Sequence, residues 1–176
     1  MVTSPYVFQV VGYQNSGKTT LVNKIITHLT KHELTAATVK HHGHGGKPEL
    51  LETKDSSQHI SSGALAAIVE GDGRILLQAE KIKWTIDEQL VILKQINPDF
   101  IIIEGHKHAS YPKIVILKSV DSYKFLTTLT NIKAALYWDE ENATIKDAYP
   151  NIPFFSIHDK AGVEWIIKFL INQQSK

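Results

Sequence analysis

The sequence lacks several features that mark whole classes of protein. Its 176 residues include no cysteine, which excludes disulfides, thiolate metal ligands and cysteine nucleophiles. No apolar run has the length of a membrane-spanning helix, and none near the N-terminus resembles a signal peptide. The net charge of +1 indicates neither a nucleic-acid nor a membrane-surface partner. We therefore expect a cytoplasmic protein without nucleic-acid or membrane contacts.

Arginine is nearly absent as well. Arg74 is the only arginine, although lysine and arginine together number 19. Arginine is the usual partner for the negative charge that develops during phosphoryl transfer. We therefore expect slow turnover of any bound nucleotide, unless a partner or Arg74 of a second subunit completes the site.

The stretch from Phe8 to Val22 contains a phosphate-binding pattern, G-x-x-x-x-G-K-[ST], within FQVVGYQNSGKTTLV. An apolar run before Gly12 predicts a buried strand, and apolar residues at helical spacing after it predict a helix. Free backbone N–H groups and the helix dipole at such a turn favour a bound phosphate. Lys18 is placed to reach the terminal phosphates, and the Thr19 hydroxyl suits Mg²⁺. The residues predicted to bind a nucleotide are Gly12, Tyr13, Gln14, Asn15, Ser16, Gly17, Lys18, Thr19 and Thr20.

The rest of the chain alternates predicted strands and helices. Further strands are predicted at Leu34–Lys40, Asp99–Gly105, Lys113–Leu117, Ala134–Trp138 and Ile152–Ile157, with helices at Ile86–Ile96 and near the C-terminus. Gly71-Asp72-Gly73 lies between two apolar runs and predicts a β-hairpin, inserted at about residues 64–84. This order predicts one α/β domain over residues 1–176 with a mostly parallel sheet. The hairpin is interpreted either as a structural flap or as a dimer interface.

One acidic residue ends a fully apolar predicted strand, FIIIEG, at Glu104. A carboxylate at this position in phosphate-loop proteins supports Mg²⁺ or positions water, and the alternative is a glutamate merely exposed at a strand end. Asp55 lies in the polar segment His41–Ser57, where it either supplies another Mg²⁺ contact or is simply solvated.

Histidines follow two of the predicted strands. They are His41, His42, His44, His106 and His108, with Lys107 between the last two. Three interpretations stay open: a structural metal site, contacts to phosphate or a partner, and plain surface histidines. We interpret His41, His42 and Lys107 as candidate phosphate or partner contacts. Missing cysteines and unmatched acid spacing count against a metal.

Several of these segments together resemble a known family. GYQNSGKTTLV, VKHHGH, KDSSQHISSGA and especially IIIEGHKHASYPKIVIL are similar to the molybdopterin-guanine dinucleotide biosynthesis adaptor protein B (MobB) family. The resemblance covers nearly the whole chain. Its most specific part is Glu104-Gly105-His106-Lys107, where His106 replaces a more familiar aromatic residue.

The resemblance implies a three-layer P-loop NTPase-like fold, bound GTP with Mg²⁺, feeble hydrolysis and a homodimer. It also implies a supporting role in attaching GMP to molybdopterin, beside the nucleotidyltransferase that performs the reaction. By position, Gly12 to Thr19 would hold the phosphates, and Thr19 and Glu104 would surround Mg²⁺. The resemblance implies the same metal contact for Asp55 less specifically. Guanine itself is implied by the family alone, because the sequence contains no N-K-x-D stretch.

Two other functions stay open. A small-molecule kinase would use the same loop with His41, His42 or Glu104 as its base. A metallochaperone GTPase would bind Ni²⁺ or Zn²⁺ through the histidines, but it would lack cysteine ligands.

Overall fold

The computed structural model describes residues 4–41, 55–139 and 145–174, with the side chains of all of them except residues 55 and 56. Its strands are β1 (Tyr6–Gly12), β2 (Ala36–Lys40), β3 (Ala66–Gly71), β4 (Arg74–Ala79), β5 (Phe100–Glu104), β6 (Lys113–Leu117), β7 (Ile132–Tyr137) and β8 (Phe154–Ser156). Its helices are α1 (Lys18–Lys31), α2 (Asp55–Ser61), α3 (Ile86–Lys94), α4 (Lys124–Thr128) and α5 (Lys160–Gln174), and a 3₁₀ turn at Val120–Tyr123 precedes α4. No helix within these residues is long and apolar enough to span a membrane.

Six strands form one parallel sheet in the order β2-β5-β1-β6-β7-β8. Every residue of β5 and β6 is buried, as expected for strands covered on both faces. One face packs against α1 and α5, with Phe8 and Val10 of β1 pointing into that core. The other face packs against α3 and α4, and Val11 lies on that side. The predicted α/β class with a parallel, three-layer arrangement is confirmed.

The hairpin is a separate two-stranded antiparallel sheet of β3 and β4. Gly71 and Arg74 pair across a two-residue turn. Asp72 and Gly73 in that turn have positive φ angles of 50° and 75°. Such angles suit the turn type that a two-residue hairpin favours. The predicted inserted hairpin is confirmed.

Two helical segments were not predicted. The last three residues of the polar segment His41–Ser57 begin α2, which packs against β3 and β4. The 3₁₀ turn and α4 lie between β6 and β7, where Phe125 and Leu126 of α4 are buried. Both helices are too short to show an apolar period in sequence.

Candidate nucleotide-binding site

The carboxyl ends of neighbouring parallel strands bring the predicted site together. β1 pairs with β5 in a register that sets Val10 opposite Glu104, and β5 pairs with β2 so that Lys40 is also opposite Glu104. After β1 the chain crosses to β2, returns to β5 beside β1 and then continues to β6 on the opposite side of β1, and crevices at such switch points are the usual ligand sites of α/β sheets. Gly12, at the end of β1, therefore faces the same crevice as Glu104.

The loop between β1 and α1 has the backbone that its glycines predict. Gly17 has a φ of 92° and Asn15 a φ of 54°, so the chain turns through left-handed conformations. A Cβ at Gly12 would lie 2.4 Å from the Ser16 Oγ and 3.2 Å from the Ile116 Cβ. This position therefore has no room for a side chain.

Two side chains from outside the loop hold its carbonyl groups. Trp138 Nε1 donates to the Ser16 oxygen at 2.9 Å, and Lys118 Nζ donates to the Asn15 oxygen at 2.9 Å. These two hydrogen bonds fix the backbone of the loop from outside.

Lys18 lies in the concave side of the loop. Its Nζ donates to the Tyr13 oxygen at 2.7 Å. Burial lowers the pKa of Lys18 from its ordinary value, Glu104 acts in the opposite direction, and Lys40 adds a further lowering. A bound phosphate would favour the charged ammonium, so this lysine is matched to an anionic ligand.

Thr19 and Glu104 form a hydroxyl–carboxylate pair beside the loop. Thr19 Oγ1 donates to Glu104 Oε1 at 2.8 Å, and Glu104 is 8% exposed. Lys40 Nζ lies 3.5 Å from the same carboxylate oxygen and donates to Thr19 Oγ1 at 3.3 Å. The Lys40 side chain is 61% exposed, so this ion pair contributes little stability. Hydroxyl and carboxylate oxygens are hard donors, and the pair fits Mg²⁺.

The turn after Glu104 is fixed from the sheet beneath it. Gln9 is completely buried in β1, and its Nε2 donates to the Gly105 and His106 oxygens at 2.7 and 2.6 Å. Gly105 has a φ of 91°, and a Cβ there would lie 3.1 Å from the His41 Cβ. The Glu-Gly-His-Lys segment is therefore held close against the end of β2.

Two of the predicted histidines meet at this place. The His41 N–H donates to the Glu104 oxygen at 3.0 Å, and the His41 and His106 ring centroids are 4.7 Å apart. Burial, with His41 as a second cause, lowers the pKa of His106 from its ordinary value. His42 and His44 lie outside the described residues. Within the described ranges, no group of three or more histidine, cysteine or acidic residues is arranged to hold a metal ion.

The predicted residues line one large pocket of about 1300 Å³. Its lining includes all nine residues predicted to bind the nucleotide, together with Glu104, His41 and Lys107. Asp55 is the first residue of α2, and its side chain is outside what the structure describes. Its predicted Mg²⁺ contact therefore stays a prediction.

Sequence reasoning missed four residues that shape the site: Gln9, Lys40, Lys118 and Trp138. Gln9 carried a usable signal, because it is the single polar residue inside the apolar run YVFQVV. The other three stand at or just beyond strand ends, where a side chain's target depends on which strands are neighbours. The order of the strands in the sheet cannot be predicted from a local sequence pattern.

Comparisons with known proteins identify the family of the chain. The family model described as molybdopterin guanine dinucleotide synthesis protein B matches residues 7–137. A probable molybdopterin-guanine dinucleotide biosynthesis adapter protein of Bacillus subtilis is 34% identical over 165 residues, which cover 93% of this chain and 92% of the relative. A putative adapter protein of the same description from Methanocaldococcus jannaschii is 30% identical over 145 residues, covering 80% of this chain and 58% of the relative.

Solved structures show the same relationship. A crystal structure of Bacillus subtilis MobB superposes with a TM-score of 0.78 at 34% identity, covering 93% of this chain and 96% of that one. The predicted resemblance and the P-loop NTPase-like fold are thereby confirmed. The chain belongs to the MobB family of molybdopterin-guanine dinucleotide biosynthesis proteins.

Proposed function

We propose that this chain is a GTP-binding adapter that supports the attachment of GMP to molybdopterin, acting beside a guanylyltransferase in the cytoplasm. The single observation that carries the proposal is the 2.8 Å contact between Thr19 and Glu104 at the mouth of the phosphate loop, in a chain of this family. The names of its relatives state the adapter role. That role comes to this chain as part of the proposal.

In this proposal each group has one task. The N–H groups at the start of α1 and the Lys18 ammonium bind the nucleotide phosphates. Lys18 exchanges its contact with the Tyr13 oxygen for a phosphate oxygen. Thr19 and Glu104 would hold Mg²⁺, which neutralises phosphate charge when bound. His41 and Lys107 line the same pocket and are placed to contact the terminal phosphate or a partner.

Hydrolysis at this site is proposed to be slow. None of the described residues that line the pocket is an arginine, and Arg74 lies at the tip of the hairpin. Arginine fingers contribute about 10³–10⁵ in rate where they are present. Long occupancy by an intact nucleotide suits an adapter better than rapid turnover does.

A homodimer is proposed to form through the hairpin. Ile68 and Ile75 are 66% and 64% exposed, and three further aliphatic side chains in the two strands, Val69, Leu76 and Leu77, are exposed as well. A two-stranded sheet is marginally stable alone in water, and an apolar surface of this kind usually marks an interface. A second copy of the hairpin, brought by the same chain, would cover these side chains.

The small-molecule kinase and the histidine-based metallochaperone are not favoured by the family relationship. The kinase would need an acceptor pocket with its own base, and Glu104 is already engaged by Thr19 and Lys40. For the metallochaperone, the described geometry supplies a histidine pair rather than a ligand set.

The test is isothermal titration of the purified chain with non-hydrolysable analogues of GTP and ATP in the presence of Mg²⁺. We expect the GTP analogue to bind with the higher affinity, and Lys18→Ala to weaken it at least about a hundredfold, since a charged phosphate contact is lost. Lys31→Ala, an exposed lysine at the end of the same helix, serves as the matched control and retains wild-type affinity.

Equal affinities for the two analogues, or a preference for the ATP analogue, would contradict the guanine assignment. Equal affinities of wild type and Lys18→Ala would contradict the site itself.

A further inference from the structure

A single glutamine, Gln9, interrupts the otherwise apolar strand β1. Side chains alternate along a strand, so Gln9 shares a face with Val7 and Val11, which pack against α3 and α4. The Gln9 side chain is completely buried, and its Oε1 accepts no hydrogen bond from any residue that the structure describes. Burial of an amide oxygen in this way costs stability, so packing alone does not explain a glutamine here.

The contacts of the amide nitrogen give Gln9 a task. Its Nε2 donates to the Gly105 oxygen at 2.7 Å and to the His106 oxygen at 2.6 Å, which uses both N–H bonds of the group. The chain then closes a turn, because the Ala109 N–H donates to the His106 oxygen at 2.8 Å. We call residues 105–109 the 105–109 turn. Its first two carbonyl groups are thereby directed toward β1.

The backbone of the 105–109 turn needs support from outside. Gly105 and His106 have φ angles of 91° and 48°, so two successive residues are left-handed. His106 has a side chain, and a left-handed backbone is uncommon for residues other than glycine. Such a conformation persists where the surrounding structure holds it. The hydrogen bonds from Gln9 fall on the carbonyl groups of these same two residues.

The 105–109 turn forms one wall of the nucleotide pocket. All five of its residues line the pocket, together with Lys18, Thr19 and Glu104. Because the turn follows Glu104 directly, it lies at the end of the pocket where Thr19 and Glu104 are in contact. That end is the one proposed for the terminal phosphate, and Lys107 of the turn lines it.

A second buried side chain holds the far end of the same turn. Lys113 lies opposite Gln9 in the register of β1 and β6, and it is also completely buried. Its Nζ donates to the Ala109 and Thr130 oxygens at 2.9 and 2.7 Å. Lys113 therefore makes as many carbonyl contacts as Gln9, but it reaches the turn at its last residue rather than beside Glu104.

We propose that Gln9 is a positioning residue of the nucleotide site. It holds the left-handed backbone at Gly105 and His106, and this backbone sets Lys107 and the rest of the turn against the terminal phosphate. Gln9 itself lies beneath the turn and acts through the two carbonyl groups. The inference rests on the proposed function for its nucleotide, whereas the hold on the turn exists in the free chain. Loss of the amide should therefore reduce what the terminal phosphate adds to binding.

The first test compares a non-hydrolysable GTP analogue with GDP by isothermal titration in the presence of Mg²⁺. We expect wild type to bind the GTP analogue at least about fivefold more tightly than GDP, since the terminal phosphate adds charged contacts. Gln9→Met removes both donors at similar volume and should lower this ratio at least about threefold, with the GDP affinity within about twofold of wild type.

Lys113→Met is the matched control, because it removes two carbonyl contacts from an equally buried position. It should lower stability and keep the ratio of the two affinities within about twofold of wild type. A merely structural role of Gln9 would give the same result as Lys113→Met. Gln9→Leu removes the same donors and serves as the second variant if Gln9→Met does not fold, and thermal denaturation establishes that each variant is folded.

The second test is amide hydrogen exchange of the nucleotide-free chain. Peptides that cover the 105–109 turn should exchange at least about tenfold faster in Gln9→Met than in wild type, because the turn opens more often without its support. Peptides from β5, whose five residues are all buried, should keep the wild-type rate. This measurement needs no ligand and is therefore independent of the proposed function.

Four results would overturn the proposal. They are a wild-type ratio near one, an unchanged ratio in Gln9→Met, an equal fall of the ratio in Lys113→Met, and unchanged exchange in the 105–109 turn. If wild type binds neither nucleotide, the proposed function fails instead. Hydrogen exchange alone then decides whether Gln9 holds the turn.

Discussion

The phosphate loop and the hairpin both turn around glycines, yet different contacts hold them in place. In the loop, the carbonyl groups of Asn15 and Ser16 accept hydrogen bonds from side chains more than a hundred residues away. The hairpin is held by its own strand pairing and by α2, and it leaves Ile68 and Ile75 in solvent. The loop is held by contacts within the chain, whereas the hairpin exposes apolar side chains that the proposed dimer would cover.

The two regions suit different functions, anion binding in the phosphate loop and association through the hairpin. Binding a small anion requires backbone N–H groups and a few charges in fixed positions, which one chain supplies by packing around the loop. Association requires apolar surface that stays exposed until the partner arrives. Substitutions should therefore have sharply different effects in the two regions.

The largest contrast is expected from adding the same side chain at two glycines. Gly12→Val introduces a Cβ only 3.2 Å from the Ile116 Cβ and 3.3 Å from the Ile116 oxygen. Overpacking of this kind costs about 1–3 kcal/mol of folding stability. The loop relieves the clash by leaving its binding geometry, and a binding penalty of the same size lowers nucleotide affinity roughly tenfold to a hundredfold. Gly71→Val in the hairpin meets nothing within 4 Å and should bind the GTP analogue as wild type does. Isothermal titration of both variants checks this, and equal affinities would contradict the packing argument.

The next contrast concerns association. Ile68→Glu places a charge on the exposed face of the hairpin, and the dimer dissociation constant should rise at least about tenfold, because burying an unpaired charge is costly. Val91→Glu, at an aliphatic side chain on α3 that is 58% exposed, is the matched control. Analytical ultracentrifugation of the three proteins gives the constants. A dimer that Ile68→Glu leaves intact would show that the hairpin is not the interface.

A third effect separates buried from exposed lysines. Lys113 is completely buried, and its Nζ donates to the Ala109 and Thr130 oxygens at 2.9 and 2.7 Å. Burial lowers its pKa, so the unfolded chain binds more protons than the folded chain between the two pKa values. The free energy of unfolding should therefore rise with pH as the unfolded value of about 10.4 is approached.

Lys113→Met removes this titration, and the slope of stability against pH should be smaller as the pH approaches the unfolded value of about 10.4 from below. Urea denaturation at a series of pH values measures that slope. Lys94→Met, at an exposed position, should keep the wild-type slope. Identical slopes for Lys113→Met and wild type would contradict a lowered pKa at this lysine.

The smallest effect is expected at the start of α3, which leads from the hairpin back to the sheet. Thr85 accepts a hydrogen bond from the Glu88 N–H at 3.3 Å, and the Glu88 carboxylate accepts one from the Thr85 N–H at 2.9 Å. Thr85→Ala removes half of this capping box and should cost about 1 kcal/mol of stability. Thr30→Ala, exposed near the end of α1, should change stability by less than about 0.5 kcal/mol. Thermal denaturation measures the stability of both variants. An equal loss of stability in the two would contradict a contribution from the cap.

The parts of the fold that the sequence predicted are those with strong local signals. The first strand, the glycine loop and α1 follow from a pattern confined to some twenty residues. Glu104 was predicted because it ends an apolar run, Phe100 to Ile103, of the kind that indicates a buried strand. The structure shows that all five residues of this strand are buried. The hairpin followed from Asp72-Gly73, the dipeptide that its turn requires.

The missed parts depend on contacts between distant segments. Lys40 reaches Glu104 because β2 lies beside β5, and that neighbour relation arises from the whole sheet. The two short helices α2 and α4 lack enough turns to show an apolar stripe, and packing against the hairpin and the sheet stabilises them. The pairing of Trp138 with Ser16 likewise requires the order of β1, β6 and β7.

The most direct test of the central claim, a Mg²⁺–nucleotide site built on Thr19 and Glu104, is titration of the GTP analogue with and without Mg²⁺ into wild type and Glu104→Gln. We predict that Mg²⁺ raises the affinity of wild type at least about tenfold, and that Glu104→Gln loses most of this gain while keeping the Mg²⁺-free affinity. The same gain from Mg²⁺ in both proteins would contradict the claim.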